Sequence, residues 1–192
     1  MNNHFIAPLS ELLDSFGKSD ELPAFLEYSC PRNPDIEHFF KRSAVPFDRQ
    51  GIAKTTLVLL PEESLVLSGY FTLANKLFRV SRGTMSNTAW KRIQKFGTLS
   101  ENESVCYVAA PLIAQLGKNY SVPENQRIPG SELLNLAFSS IKTVQSIIGG
   151  KIVFLECEDK EKLLEFYTSN GFSEFDRRPC GDKTMVQMLC YL

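Results

Sequence analysis

The segment Leu163–Phe172 (LLEFYTSNGF) carries the side chain best suited to chemistry in this chain. Leu163, Phe166 and Tyr167 recur at helical spacing and share one face, which is expected to be buried against a sheet. A buried phenol left without a hydrogen-bond partner costs about 1–3 kcal/mol. Tyr167 therefore either bonds within the fold or turns its hydroxyl toward a cavity where a ligand belongs. A phenol, with an ordinary pKa near ~10, keeps its proton at neutral pH and can give it to a developing anion. The stretch Asn125–Leu134 (NQRIPGSELL) is a second chemical element. It reads as a helix start with Pro129 in the first turn. Unpaired N–H groups and the positive dipole end make such a start an anion site. Gln126 and Arg127 add side-chain donors beside it.

Other reactive residue types have plainer readings. Glu156, Glu158 and Asp159 flank Cys157 at a strand end, where they read as solvated or capping charge, or as a base acting through water. Gln115 could orient a water. His38 lies beside Phe39 and Phe40 and reads as a packed or half-exposed histidine, and His4 falls in a mobile terminus. Cys157 has no histidine near it in sequence and reads as a buried strand cysteine. Trp90 reads as the anchor of a short helix.

Composition narrows the class. The 192 residues are 43% hydrophobic and 22% charged, with a formal net charge of −1, ordinary for a soluble globular protein of one domain, 1–192. No overall field draws the chain to nucleic acid or membrane. The five cysteines are scattered without a CxxC pair, and there are two histidines. That argues against a metal site and for a reducing, cytoplasmic setting. No signal peptide is evident at the start, and no apolar run approaches the ~18 residues of a membrane span. Charge is nonetheless uneven. Between Phe71 and Gly97 stand Lys76, Arg79, Arg82, Lys91, Arg92 and Lys95, with no acidic residue among them.

These groups must be positioned by a run of alternating elements. Asn33 caps a helix with Pro34 at its first position, expected to reach about Val45. Residues 53–60 and 64–75 read as an antiparallel hairpin across PEES. A short helix follows around 87–96. Residues 104–117 form an apolar strand interrupted at Pro111, which implies a bulge or an edge. Residues 131–148 place Leu134, Ala137, Phe138, Ile141, Val144 and Ile148 along one helical stripe, ended by Gly149-Gly150. A strand at 151–157, a helix at 159–170 and strands at 171–177 and 183–192 complete the chain. Strand–helix–strand units around the two later helices imply locally parallel neighbours.

The element order, the stretch SGYFTLAN and the complete FYTSNGF motif resemble the GNAT acetyltransferase superfamily, from about residue 35 to the end. The resemblance implies an α/β (α+β) fold: a mixed, mostly antiparallel central sheet with a splayed parallel strand pair, flanked by helices. It implies acetyl-CoA as co-substrate and no metal. Leu116, Gly117 and Lys118 would pair their main chain with the pantetheine. Gln126, Arg127, Ile128, Gly130 and Ser131 would hold the pyrophosphate. Here the chain departs from the family's Q/R-x-x-G-x-G/A loop: Asn125 and Ile128 replace its first Gln/Arg and first glycine, and Pro129 has no N–H. Tyr167 would be the general acid that protonates the leaving thiolate, because a thiol pKa near ~8.5 lies within reach of a positioned phenol. Acetyl would move directly to a primary amine.

Three functions fit that resemblance. One is N-acetylation of a small molecule, peptide or protein amine. Another is a toxin-like bacterial acetyltransferase of aminoacyl-tRNA, with tRNA held by the basic 71–97 segment. The third is a non-catalytic binding module whose phosphate loop has decayed. A homodimer is among the expected partners, and a membrane is not.

Overall fold

Asn33 acts as its place before Pro34 predicts: its Oδ1 accepts from the amides of Asp35 (3.2 Å) and Ile36 (3.4 Å). Helix α2 (Pro34–His38) starts there, passes into a π-helical turn at Phe39–Ser43 and continues as α3 (Ala44–Arg49). The expected single helix is thus wound in three pieces and runs past Val45. The computed structural model describes residues 4–15, 22–23, 26–62 and 65–192. Glu63 and Ser64, at the expected hairpin turn, lie outside the described residues. Two units result, one from 1–74 with 114–139, the other from 75–113 with 140–192.

In the first unit, β1 (Phe5–Pro8) pairs antiparallel with β2 (Lys54–Pro61), which pairs antiparallel with β3 (Leu65–Ser81). The expected hairpin is therefore present. The edge strand β1 and helix α1 (Leu9–Ser15) stand where the sequence offered no strong period. Leu9 and Leu13 of α1, Phe40, Ala44, Leu57, Leu59 and Tyr70 form a dry core with Tyr28. Leu133, Leu134 and Ala137, in the first half of α5 (Gly130–Ile148), are also buried.

In the second unit, α4 (Asn87–Ile93) is capped by Ser86 and anchored by buried Trp90 and Ile93. The two-residue strand β4 (Thr98–Leu99) pairs antiparallel with β5 (Val105–Lys118). β5 pairs in parallel with β6 (Ile152–Glu158) at Leu112↔Phe154 and Ile113↔Leu155. Pro111, with no N–H to give, stands just before the first residue that β5 pairs with β6. After α6 (Glu161–Ser169) come β7 (Ser173–Cys180) and β8 (Lys183–Tyr191). The strand order is β5-β6-β8-β7, and β8 pairs antiparallel with both its neighbours. One expectation needs correction here. β6 and β7 point the same way, but β8 lies between them, because a terminal strand can insert beside β6 while the β7–β8 turn stays short. The apolar stripe of α5 also ends early: Val144 and Ile148 are exposed. The sheet is mixed, with one parallel pair among antiparallel ones, and helices flank it, as the resemblance implied.

Candidate active site

The predicted cofactor residues all fall in the first unit. At the end of β5, Leu116 and Lys118 are half-buried and Gly117 is buried. Gly117 has no room for a side chain. A Cβ there would meet Tyr28 Oη at 2.2 Å and Ile36 Cγ2 at 2.6 Å. A Cβ on Gly69 of β3 would meet the Gly117 carbonyl at 2.8 Å and Ile128 Cγ2 at 3.0 Å. The two glycines let β3, β5 and the following loop approach closely. Ile128 is fully buried at that contact. The residue standing where a glycine was expected is therefore the loop's hydrophobic anchor.

The loop is held by Asn119, a fully buried amide. Its Nδ2 donates to the carbonyls of Glu27 (2.7 Å) and Leu67 (2.8 Å). Its Oδ1 accepts from the amides of Ser29 (3.1 Å) and Ser121 (3.0 Å) and from the Ser121 hydroxyl (2.7 Å). Arg127 spans the same loop, donating from Nε to the Asn119 carbonyl (3.1 Å) and from Nη2 to the Val122 carbonyl (2.8 Å). Its guanidinium lies 4.6 Å from the Tyr120 ring centre; Arg32 lies at 5.2 Å and Lys118 Nζ at 6.0 Å. Three cations thus gather around one aromatic ring, which creates a positive potential at the end of β5. Gly130 and Ser131 form the first turn of α5, where N–H groups lack intrahelical acceptors.

Tyr167 belongs to the second unit. Leu163, Phe166 and Tyr167 share a face as expected, but each is half-buried rather than enclosed. The helix is closed behind Tyr167 by a cap. Asn170 Nδ2 donates to the Phe166 carbonyl (2.7 Å), Gly171 takes φ +90°, and the Phe172 amide returns to the Tyr167 carbonyl (3.1 Å). Phe172 is buried and meets the Tyr167 ring edge-on at 5.6 Å. The motif's two phenylalanines, asparagine and glycine fix the tyrosine's ring. Its hydroxyl has no hydrogen-bond partner among the described residues. Burial, and then the neighbouring Cys157, push its pKa above the ordinary phenol value, so it stays protonated at neutral pH. Burial also pushes the Cys157 thiol up to about 11, which makes it inert as a nucleophile.

The strand-end carboxylates are occupied. Glu156 pairs with Arg178 and accepts from Gln187 (2.5 Å); Glu158 pairs with Lys160 and with Lys183 (2.7 Å); Asp159 pairs with Arg177 (2.6 Å). Lys160 first, then Lys183, hold the Glu158 carboxyl below its usual range. They form an ion-pair ladder, which leaves none as an evident free base. The basic residues Lys76, Arg79, Arg82, Lys91, Arg92 and Lys95 are all exposed. Arg92 lies over the Tyr191 ring at 3.5 Å, and the other five have no ion-pair partner among the described residues. His38 is exposed. His4, by contrast, is fixed by two side-chain hydrogen bonds. Sequence reasoning missed this because a single histidine near a terminus carries no period. No cluster of three His, Cys, Asp or Glu suited to a metal occurs among the described residues, and no described helix is long and apolar enough to cross a membrane.

No protein-family model matches the chain, and no curated protein matches it. Solved structures do. A tyrosine-to-phenylalanine mutant of KacT is 17% identical, with TM-score 0.67, over 97% of this chain and 94% of that one. AtaT complexed with acetyl-methionyl-tRNAfMet is 16% identical, with TM-score 0.64, over 96% and 94%. AtaTR bound with acetyl-CoA is 16% identical, with TM-score 0.59, over 97% and 93%. The fold of this chain is the fold of these proteins.

Proposed function

We propose that this chain is an acetyl-CoA-dependent N-acetyltransferase, and that its acceptor is the α-amine of an aminoacyl-tRNA. The observation that carries the enzymatic reading is Tyr167: a half-buried, protonated phenol with no hydrogen-bond partner among the described residues, held by a motif that fixes its ring. Unlike the enclosed hydroxyl of Tyr28, that of Tyr167 is not sealed from solvent, so a reacting partner can reach it. Leu116, Gly117 and Lys118 offer main chain to the pantetheine. Gln126, Arg127, Ile128, Gly130 and Ser131 hold the pyrophosphate, with Ile128 contributing main chain alone. The three cations at Tyr120 supply the charge that Pro129 and the missing glycine do not.

Chemistry follows from the groups present. The unprotonated amine attacks the thioester carbonyl, the C–N bond forms, the C–S bond breaks, and the electron pair goes to sulphur. Tyr167 donates its proton to that sulphur and regains one from the attacking amine or from water. Its raised pKa makes a lasting phenolate unfavourable, so donation and recovery are closely linked. Deprotonation needs no carboxylate base, since an α-amine has a pKa of only about 7.7–8.0. This agrees with the occupied ion-pair ladder at Glu156, Glu158 and Asp159.

The acceptor assignment is supported by the exposed basic stretch at 76–95, with no ion-pair partner at five positions among the described residues. It is supported also by the fold shared with AtaT, solved with acetyl-methionyl-tRNAfMet. Free cysteines at all five positions fit a reducing cytoplasm. Calorimetric titration with acetyl-CoA tests the enzymatic reading first: saturable one-site binding is expected, and no binding contradicts it.

A further inference from the structure

His4 is the first residue of a buried hydrogen-bond chain. Its Nδ1 lies 3.1 Å from Glu132 Oε1 and its Nε2 lies 3.0 Å from Ser68 Oγ. Ser68 Oγ donates to the Gln126 carbonyl at 2.6 Å. The His4 side chain is 2% exposed and Ser68 is fully buried. A Glu–His–Ser sequence of contacts suggests a nucleophilic serine, but the proton directions exclude it. A nucleophile gives its proton to the imidazole and meets substrate. Ser68 gives its proton to a backbone carbonyl and meets no solvent. Its oxygen can then only accept from His4, so Nε2 carries a proton. Donation runs in one direction, from the imidazole through the hydroxyl to the Gln126 carbonyl, and such chains reinforce each bond in turn.

The position of that carbonyl matters. Gln126 closes a short turn whose amides bond to Pro123 (3.0 Å) and Glu124 (3.2 Å). Two residues on, Ile128 is seated against Gly69. Ser68 and Gly69 are therefore adjacent anchors on β3, one holding the loop by a carbonyl and the other by an apolar side chain. Glu132, in the first turn of α5, completes the clamp by fixing the imidazole. We infer that His4 and Ser68 are positioning residues: through the Gln126 carbonyl they hold loop 124–130 so that the first-turn amides of α5 are presented to the phosphates of acetyl-CoA. This rests on the acetyl-CoA reading given above.

The test uses the full chain with His4→Ala, Ser68→Ala and Glu132→Gln. Amide hydrogen exchange over 124–130, acetyl-CoA affinity, and kcat at saturating acetyl-CoA are measured on each. Losing one hydrogen bond to the loop should weaken acetyl-CoA binding by roughly tenfold, and raise its KM in step. His4→Ala and Ser68→Ala should show this, with faster exchange confined to the loop and kcat close to that of the unaltered protein. Glu132→Gln keeps a hydrogen-bonding group at Nδ1 and should loosen the loop and weaken acetyl-CoA binding less than either alanine variant. Ser68→Ala removes a single oxygen and serves if His4→Ala does not fold. A contact of structural value alone would lower the active fraction and leave affinity unchanged, which overturns the inference. So does unchanged loop exchange in both alanine variants. An unaltered protein that binds no acetyl-CoA overturns the functional reading instead, and loop exchange still decides whether the clamp exists.

Discussion

Three tyrosines with raised pKa values have three different hydroxyl environments, and replacing each with phenylalanine separates structure from catalysis. Tyr70 is fully buried and donates to the Ile36 carbonyl at 2.7 Å. Tyr28 is 3% exposed, and its buried hydroxyl has no hydrogen-bond partner among the described residues, lying instead against Gly117 with Cys30 close by. Tyr167 is half-buried and unbonded among the described residues. Tyr70→Phe should destabilise by about 1 kcal/mol, the net worth of a typical hydrogen bond, and by more if the Ile36 carbonyl stays dry. Tyr28→Phe removes an unsatisfied donor and should leave stability unchanged or raise it by up to ~1 kcal/mol. Both should turn over normally per folded molecule. Tyr167→Phe keeps the ring contacts with Phe166 and Phe172 and breaks no hydrogen bond, so its melting temperature should hold. Its turnover should fall by about 10²–10⁴-fold, the span for losing a general acid. Acetyl-CoA affinity should change little, because the interaction is made mainly in the transition state. Melting curves and steady-state rates on the same preparations provide the assay. A Tyr167→Phe protein that melts early and turns over normally would refute the reasoning.

Other perturbations have equally definite outcomes. Gly117→Ala drives a methyl into Tyr28 Oη and Ile36 Cγ2. It should cost about 1–3 kcal/mol by overpacking, with part recovered in the Gly117→Ala/Tyr28→Phe double variant, as urea titrations of the four proteins would show. The rate kcat/KM for an α-amine acceptor should rise with pH through about 7.7–8.0 and then stay level to about pH 10, since Tyr167 holds its proton above the ordinary phenol range. A falling alkaline limb below that point would contradict the assignment. Glu158→Gln should lower stability by about 1 kcal/mol or less at pH 7. The lowered carboxyl pKa stabilises above the unfolded value and is lost as pH falls through the folded one. The difference in melting temperature should therefore close in acid.

What was legible in the sequence follows physical periodicity. The Asn33 cap, the hairpin of 53–60 and 64–75, the long helix after Gly130 and the Asn-Gly helix end before Phe172 are local patterns, and all were readable, although the second hairpin strand runs on to Ser81. The placement of β8 between β6 and β7 was not, because pairing order depends on contacts distant in sequence. The π-helical turn at Phe39–Ser43 leaves no mark that distinguishes it from α-helix. Ile128 looked like a degraded glycine, but its environment is Gly69, fifty-nine residues earlier in the numbering. Asn119 and His4 carry no motif at all. Their value lies in the partners that folding brings to them, Glu27 and Leu67 for one and Ser68 and Glu132 for the other. Tyr167 was legible as a question, since a phenol on an apolar stripe demands a partner, and its hydroxyl has none among the described residues.

The central claim is transfer of acetyl from acetyl-CoA to the amine of an aminoacyl-tRNA. The purified chain incubated with labelled acetyl-CoA and charged tRNA, beside the same tRNA without its amino acid, tests it most directly. The account predicts label on the charged tRNA, absent from the uncharged one, and lost when Tyr167 is phenylalanine. Binding of acetyl-CoA without label on any charged tRNA would contradict it.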